Sequence, residues 1–349
     1  MGFLYKKLLR EILFNFNPET VHDAVIKSAR AFQRVQLLNS LVSLLARAKD
    51  LPVTVAGIKF RNPVGLAAGF DKNCEAARFL AGLGFGFLEL GTVTLRPQPG
   101  NPKPRVFRLR ENSGIINRMG FNNVGAWDAA RTLEKLLPLP IPAGISIGKN
   151  ADCSIEEAPQ NYLEALKILY PFGSYFAINV SSPNTLQLQR LHEEERLRRL
   201  VEPLLSFAAG QGEAKPFFVK ITPDLPEAGI ESVVALAAKL GFGLITTNTT
   251  VNREAVPEYW RTYEGGLSGL PLKNAANSVL ARVAALGRGR FPIIGSGGVF
   301  DGPAALEKLQ LGADLVQVYS GLVYEGPFLV KEILEYLELS GWRSPALKS

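Results

Sequence analysis

The chain is poor in the residues that build metal sites and covalent cross-links. Its 349 residues hold two cysteines, Cys74 and Cys153, and two histidines, His22 and His192. So few cysteines argue against a disulfide framework and fit a reducing compartment. Without a CxxC pair or a Cys/His cluster, no metal site is expected. No run of about 18 apolar residues occurs, so no segment is expected to span a bilayer. The N-terminus shows no apolar core followed by a small-residue cleavage site, so no secretory signal is expected. No GxGxxG follows the first strand-like run, which argues against an open dinucleotide-binding sheet. A serine hydrolase is also disfavoured. GLSGL (266–270) fails the GxSxG pattern at Leu270, and His192 falls in a charged stretch, HEEER, that reads as a solvated helix. No internal repeat or low-complexity tract is present.

Hydrophobic residues make up 47% of the chain, enough for a large core. The length exceeds a typical single core, but an α/β barrel runs to about 250 residues as one domain. The net charge of +7 is uneven: residues 1–50 carry eight Lys/Arg against four acids, more than half of the excess. That same segment is amphipathic. Phe3, Leu4, Leu8, Leu9, Ile12 and Leu13 recur at helical spacing in residues 3–16, and Asn17-Pro18-Glu19 ends that helix and starts another. Residues 19–47 then carry Val25, Ala29, Phe32, Val35, Leu38, Leu41, Val42 and Leu45. A helical hairpin is expected, either as a lid on the main domain or as an in-plane membrane anchor with an apolar slot between its helices. The wide apolar faces, with no basic patch interleaved with aromatics, argue against nucleic acid.

From residue 53 short apolar strands alternate with helical stretches. Strands are predicted near 63–68, 87–91, 143–147, 175–180, 217–221, 243–247, 292–295 and 314–319, with helices near 74–83, 125–137, 157–170, 193–208, 228–240, 273–286 and 303–311. Eight such units predict an α/β fold closed as a (β/α)8 TIM barrel. VTVAGIKF (53–60) is expected to plug its bottom as a hairpin.

Active sites in such barrels form at the carboxyl ends of the strands, and those ends are chemically loaded. Strand one runs out into Ala68-Gly-Phe-Asp-Lys72, strand two into Gly91-Thr92 and strand four into Asn179, followed by SSPNT. Strand six ends in Thr247-Asn248-Thr249. GSGGVFDG (295–302) and VYSG (318–321), after strands seven and eight, suit phosphate, because glycines let backbone N–H groups close on its oxygens. Lys220 interrupts an apolar strand, FFVKI, and must meet an anion or acceptor there. It reads either as a Schiff-base lysine or as a cation beside an electron-accepting ring. Lys72 raises the same question.

Taken in order, NPVGLAAGFDK (62–72), ELGTVTLRPQPGNPKPR (89–105), INRMGFNN (116–123), INVSSPNT (178–185), TTNTT (246–250), GGLSG (265–269), GSGG (295–298) and VYSG (318–321) resemble the dihydroorotate dehydrogenase family over nearly the whole chain. The hairpin with NPE..H at 17–22 resembles its class 2, membrane-associated, quinone-dependent branch. Class 1 members lack the hairpin and have a cysteine where this chain has Ser182.

The resemblance implies one FMN per chain and oxidation of (S)-dihydroorotate to orotate in pyrimidine (UMP) synthesis, with electrons passing to ubiquinone or menaquinone. It implies that Ser182 is the base taking the C5 proton while the C6 hydride goes to flavin N5. A serine hydroxyl is a weak base, so it would hand the proton on through water beside Thr185 and Phe121. Substrate would be held by Lys72, Asn117, Arg118, Met119, Gly120, Phe121, Asn179, Asn184, Asn248 and Thr249. FMN would be met by Ala68, Gly69, Phe70, Asp71, Lys72, Thr92, Ser146, Asn179, Lys220, Thr247, Gly269, Gly298, Tyr319 and Ser320. This role for Lys220, stabilising the charge of reduced flavin, favours the electron-sink reading. His22 and Arg108 would line the quinone slot. The implied domains are 1–50, giving membrane and quinone access, and 51–349, the FMN barrel. The implied location is the periphery of the bacterial inner membrane, on its cytoplasmic face. Three positions depart from the family pattern: Ser146 replaces the usual asparagine, Leu270 a usual basic residue, and Leu186–Arg190 (LQLQR) the usual PGLR. The last concerns the expected lid. A fumarate- or NAD-using FMN barrel and a Schiff-base lyase are the alternatives.

Overall fold

The structure is a computed structural model and describes residues 2–185 and 187–344. Met1, Leu186 of the LQLQR stretch and residues 345–349 lie outside the described residues, as does the side chain of Phe3. The strands in chain order are β1 (Val53–Val55), β2 (Ile58–Phe60), β3 (Val64–Leu66), β4 (Phe87–Val93), β5 (Val106–Leu109), β6 (Gly114–Asn117), β7 (Ala143–Ile147), β8 (Tyr175–Asn179), β9 (Phe217–Ile221), β10 (Gly243–Thr246), β11 (Gly266–Gly269), β12 (Ile293–Ser296) and β13 (Leu315–Val318).

β3, β4, β7, β8, β9, β10, β12 and β13 close into a barrel in that order, and β13 pairs back to β3. Every pairing is parallel. These strands are buried on both faces, which explains their near-continuous apolar runs. Helices pack outside them, for example Ala158–Leu169, Glu194–Ala209 and Glu227–Leu240.

The bottom of the barrel is filled by rings. Phe87, Tyr175 and Phe218 point inward and meet edge-on, at centroid separations of 6.3 and 5.3 Å, and Phe60 of the β1–β2 hairpin meets Phe87 edge-on at 5.3 Å. Neighbouring strands make room: a Cβ at Gly65 would lie 2.3 Å from the Phe87 ring, and one at Gly144 would lie 2.0 Å from the Tyr175 ring. The hairpin's Val53, Val55 and Phe60 join one buried cluster with Ala177, Ile245, Ile294 and Leu315. The hairpin is therefore the barrel's stopper.

The N-terminal segment differs from the two-helix expectation. The first helical stretch runs through a π-turn at Tyr5–Leu9 into Arg10–Leu13, the second is Pro18–Phe32, and a third is Gln36–Leu45. The chain breaks at Val35, whose backbone is extended. No Gly or Pro marks this break. The start of the second helix is written in its sequence. Asn17 Oδ1 accepts from the N–H groups of Glu19 (3.0 Å) and Thr20 (3.2 Å), and Pro18 occupies the first turn, where a missing N–H costs nothing.

Glu19 is also the clamp that docks this helix. Its carboxylate, almost fully buried, meets Arg105 at 2.7 Å and Lys103 at 3.2 Å. Arg105 also donates to the carbonyls of Pro99 (2.7 Å) and Asn101 (2.8 Å). Further ties join the first helix to the barrel's last turn: Lys6 to Glu325 at 2.8 Å, and Tyr5 Oη to the Val323 carbonyl at 2.7 Å.

A feature absent from the sequence reading is a small antiparallel sheet, β11–β6–β5, over the barrel mouth. It brings INRM and GGLSG side by side, with Asn117 opposite Gly266 and Gly114 opposite Gly269.

Candidate active site

The carboxyl ends of the barrel strands open into a cavity of about 820 Å³ that continues beneath the N-terminal helices. Ser182, Lys72, Asn117, Met119, Gly120, Phe121, Asn179, Asn184, Asn248 and Thr249, all expected at the substrate, border it. So do Ala68, Gly69, Phe70, Thr92, Lys220, Thr247, Gly269, Gly298, Tyr319 and Ser320, expected at the cofactor. His22 and Arg108 border its outer end, with Leu9, Leu13, Val25 and Phe32 of the helices.

Four expected residues stand outside the lining. Arg118 turns away, donating to the Pro104 carbonyl (3.1 Å) and pairing with Glu264 at 3.6 Å. Asp71 caps the turn after β3, accepting from the N–H groups of Glu75 (2.8 Å) and Ala76 (2.9 Å). Burial raises its pKa to about 6, and these bonds oppose that rise. Ser146 is fully buried behind Thr92, with the two hydroxyls 2.9 Å apart. Thr185 is buried in the turn after Asn184, and its hydroxyl has no partner among the described residues.

The polar groups form a connected set. Asn179, the last residue of β8, donates to Thr92 Oγ1 (3.0 Å), and its Oδ1 accepts from the Ser181 hydroxyl (3.2 Å). Asn248 donates to Ser181 Oγ (3.0 Å), and Asn184 donates to Asn117 Oδ1 (3.3 Å). The two adjacent serines thus differ. Ser181 is bound into the amide set, whereas Ser182 Oγ accepts one local bond from the Asn184 N–H (3.3 Å) and faces the cavity. Asn101 fastens this loop from behind, its amide reaching the carbonyls of Arg118 (3.0 Å) and Asn184 (3.2 Å).

Charge is graded along the cavity. At the outer end His22 stands edge-on to Phe70, with centroids 5.2 Å apart. Burial, reinforced by Lys72, lowers its pKa to about 3, so it is neutral at physiological pH. Burial lowers Lys72 to about 8, against the pull of Asp23 and Glu19. Arg108 packs over the Phe14 ring, 4.4 Å from its centroid, and donates to the carbonyls of Leu13 (3.2 Å) and Phe16. At the floor Lys220 meets Glu89 at 3.5 Å. His192, read as solvated, is buried at the end of a short 3-10 turn with Nδ1 3.0 Å from the Gln189 carbonyl, and burial lowers its pKa to about 4.

The residues suit a phosphorylated flat ring. Gly297 and Gly298 hold φ of +93° and +75°, which glycine alone adopts without strain. They bring main chain, free of side chains, to the cavity wall. Nearby, the hydroxyls of Ser268 and Ser320 stand 2.9 Å apart. A side chain at Gly69 would crowd Tyr319 at 3.3 Å, so the wall there stays flat. Among the described residues no three His, Cys, Asp or Glu side chains gather as a metal site.

Glu89, Gln317 and Arg105 are among the residues at the site that escaped the sequence reading. Glu89 and Gln317 sit in the runs FLELG and LVQVY as lone polar residues, the same signal that singled out Lys220. Arg105 lies in GNPKPR and gives no sign of its partner eighty-six residues earlier.

A sequence profile of the dihydroorotate dehydrogenase family matches residues 50–340. The dihydroorotate dehydrogenase (quinone) of Chloroflexus aurantiacus is 45% identical, covering 95% of both chains. That of Delftia acidovorans is 42% identical over 95% of this chain and 97% of its own. The crystal structure of DHODH from Eimeria tenella in complex with ferulenol superposes with a TM-score of 0.86 at 33% identity, covering 95% of this chain and 96% of that one.

Proposed function

The chain belongs to the dihydroorotate dehydrogenase family, and on that premise we propose that it oxidises (S)-dihydroorotate to orotate with bound FMN and passes the electrons to a quinone. The observation that carries this reading is one continuous cavity, polar with four asparagines at one end and apolar beneath the N-terminal helices at the other. FMN, when bound, would supply the hydride acceptor and the relay of electrons to quinone.

Each residue has a task in this scheme. Asn117, Asn179, Asn184 and Asn248 each offer a donor and an acceptor, which suits the imide edge of a planar ring. Lys72 supplies a cation for the substrate carboxylate, with Thr249 beside it. Ser182 takes the C5 proton and passes it on beside Thr185 and Phe121. Thr92, Lys220, Thr247, Gly269, Gly298, Tyr319 and Ser320 hold the flavin. Ala68, Gly69 and Phe70 form the wall against it, and His22 and Arg108 guide the quinone. Residues 1–50 provide access for quinone, ubiquinone or menaquinone, and 51–349 form the catalytic barrel.

Membrane contact is part of the same reading. No helix among the described residues is long and apolar enough to cross a bilayer. Yet of the nineteen large hydrophobics that stand exposed among those residues, thirteen lie in the first 45. Leu37 and Leu44 are 79% and 64% exposed. Such a surface fits in-plane docking on anionic lipid, at the cytoplasmic face of a bacterial inner membrane. Burying two leucines in lipid is worth roughly 3 kcal/mol or more. Leu37→Asp with Leu44→Asp should therefore lower the fraction that floats with anionic phospholipid vesicles by about a hundredfold in partition constant. Unchanged flotation would remove the third helix from the docking surface.

The function is tested by adding dihydroorotate anaerobically to the yellow protein. The flavin band should bleach and return on adding quinone, but not fumarate or NAD. A colourless protein that borohydride traps on a substrate would sink the proposal in favour of a lysine Schiff base. Lys72 adds a pH signature. Its ammonium is present below about pH 8 and lost above. Orotate affinity, read from the flavin spectrum, should therefore fall above pH 8 by up to about tenfold per unit, and Lys72→Met should flatten that fall.

A further inference from the structure

Directly beneath the cavity floor lies a buried charge that none of the assigned roles uses. Glu89, on β4, has no exposed surface. Its Oε2 accepts from Gln317 Nε2 on β13 (2.7 Å) and from Tyr175 Oη on β8 (3.3 Å). Its Oε1 has no hydrogen-bond donor among the described residues and faces Lys220 Nζ on β9 at 3.5 Å. Lys220 and Gln317 border the cavity, whereas Glu89 does not. Below this layer come the rings of Phe87, Tyr175 and Phe218 and the β1–β2 stopper. Water cannot screen the carboxylate from that side.

A carboxylate so enclosed is expensive to keep ionised unless it is paired. Four strands contribute to the pairing: β4 the acid, β8 and β13 its donors, β9 the cation. Tyr175 is a dependable donor, because burial holds its phenol well above the ordinary pKa. Oε2 is occupied by both donors, which turns Oε1 toward Lys220. The ammonium is thereby fixed at the floor rather than free to rise into the cavity. Lys220 is therefore not a lone positive charge but half of a pair.

We propose that Glu89 is a positioning residue that fixes Lys220 and lowers the electron affinity of the ring bound above it. This rests on the FMN reading of the cavity. A negative charge near an acceptor opposes the arrival of electrons, and in a dry interior this opposition reaches further than in water. Glu89 also restrains the cation that would favour electron arrival. Both effects act in the same direction. The function of the pair is a flavin reducible by dihydroorotate that still gives its electrons readily to quinone.

The test is the midpoint potential of the flavin in the purified holoenzyme, measured by equilibration with a reference dye. Glu89→Gln keeps the shape and the acceptor for Tyr175 and Gln317 while removing the charge. It should favour the reduced flavin by about tenfold, an upward shift of about 30 mV for a two-electron couple. Quinone reoxidation should slow while reduction by dihydroorotate does not. An unshifted or lowered potential at full FMN content overturns the proposal, since a merely structural carboxylate would change the melting temperature and leave the potential alone. If Glu89→Gln emerges without flavin, Glu89→Asp carries the test. Its shorter stem lengthens the pair, and a rise of about threefold, near 15 mV, is expected. No shift there, or loss of flavin from both variants, assigns Glu89 to folding and overturns the proposal. A wild-type protein without FMN would instead strike at the functional reading on which this rests.

Discussion

Replacing Ser182 by alanine should slow reduction of the bound flavin by dihydroorotate by about 10²- to 10⁴-fold, the usual worth of a positioned base. Anaerobic stopped-flow mixing isolates this half of the cycle, and reoxidation by quinone should be unaffected. The geometry singles out this serine. Ser181 is committed to Asn179 and Asn248, while the Ser182 oxygen faces the cavity with one local bond. No histidine stands by to accept its proton: His192 is turned to the Gln189 carbonyl and His22 lies against Phe70. An alcohol acting alone works better as the solution becomes more basic. The reduction rate should therefore climb with pH in wild type and lose that climb in Ser182→Ala. Near-normal flavin reduction in the variant would mean that another group takes the proton.

Breaking the Glu19–Arg105 pair should be the most damaging substitution outside the barrel. Glu19→Ala leaves a guanidinium almost fully buried with, among the described residues, the Pro99 and Asn101 carbonyls as its remaining acceptors. Removing one partner of such a pair costs about 3–5 kcal/mol, a fall in Tm of roughly 10 °C for a chain of this size. The doubly apolar variant, Glu19→Met with Arg105→Met, should recover much of the loss, because it leaves no charge stranded. A loss below about 1 kcal/mol would mean that the pair is solvated in solution. The pH dependence has a definite sign. Burial works against the Glu19 carboxylate, but its bonds from Arg105 and Lys103 prevail and hold its pKa below the ordinary value. That stabilisation is present above the unfolded pKa and lost as the pH falls through the folded one. The double variant should therefore resist acid better than its Tm alone suggests. The effect should also reach the substrate, since the Asn101 carbonyl accepts from Arg105 while its amide holds the Asn184 loop. A raised KM for dihydroorotate is expected in Glu19→Ala.

The barrel was legible because its signal is local. Strands buried on both faces read as short apolar runs, and β7 and β9 fall where the sequence puts them, at 143–147 and 217–221. Polar residues at the ends of such runs then mark the rim. What escaped depends on partners far away in the chain. β11 is four residues long, two of them glycine, and its partner β6 lies about 150 residues earlier. It shows no period of its own and becomes a strand by pairing with β6, which also pairs with its chain neighbour β5. Glu89 and Gln317 were visible as interruptions but mute as to each other, because only closure of the barrel sets β13 beside β3 and so one strand away from β4. The break at Val35 left no trace, since helix propensity around it is ordinary and neither Gly nor Pro stands there.

The ring-filled stopper has a consequence for traffic. A barrel corked at one end is a vessel with one mouth, and the N-terminal helices form part of its rim. On the proposed function, dihydroorotate, quinone and the proton lifted from carbon would all pass that rim, and the two reactants would occupy opposite ends of one chamber. Their exchange is then a matter of queueing. A long-tailed quinone lodged beneath the helices would narrow the chamber without touching the asparagines, so each reactant would set the waiting time of the other.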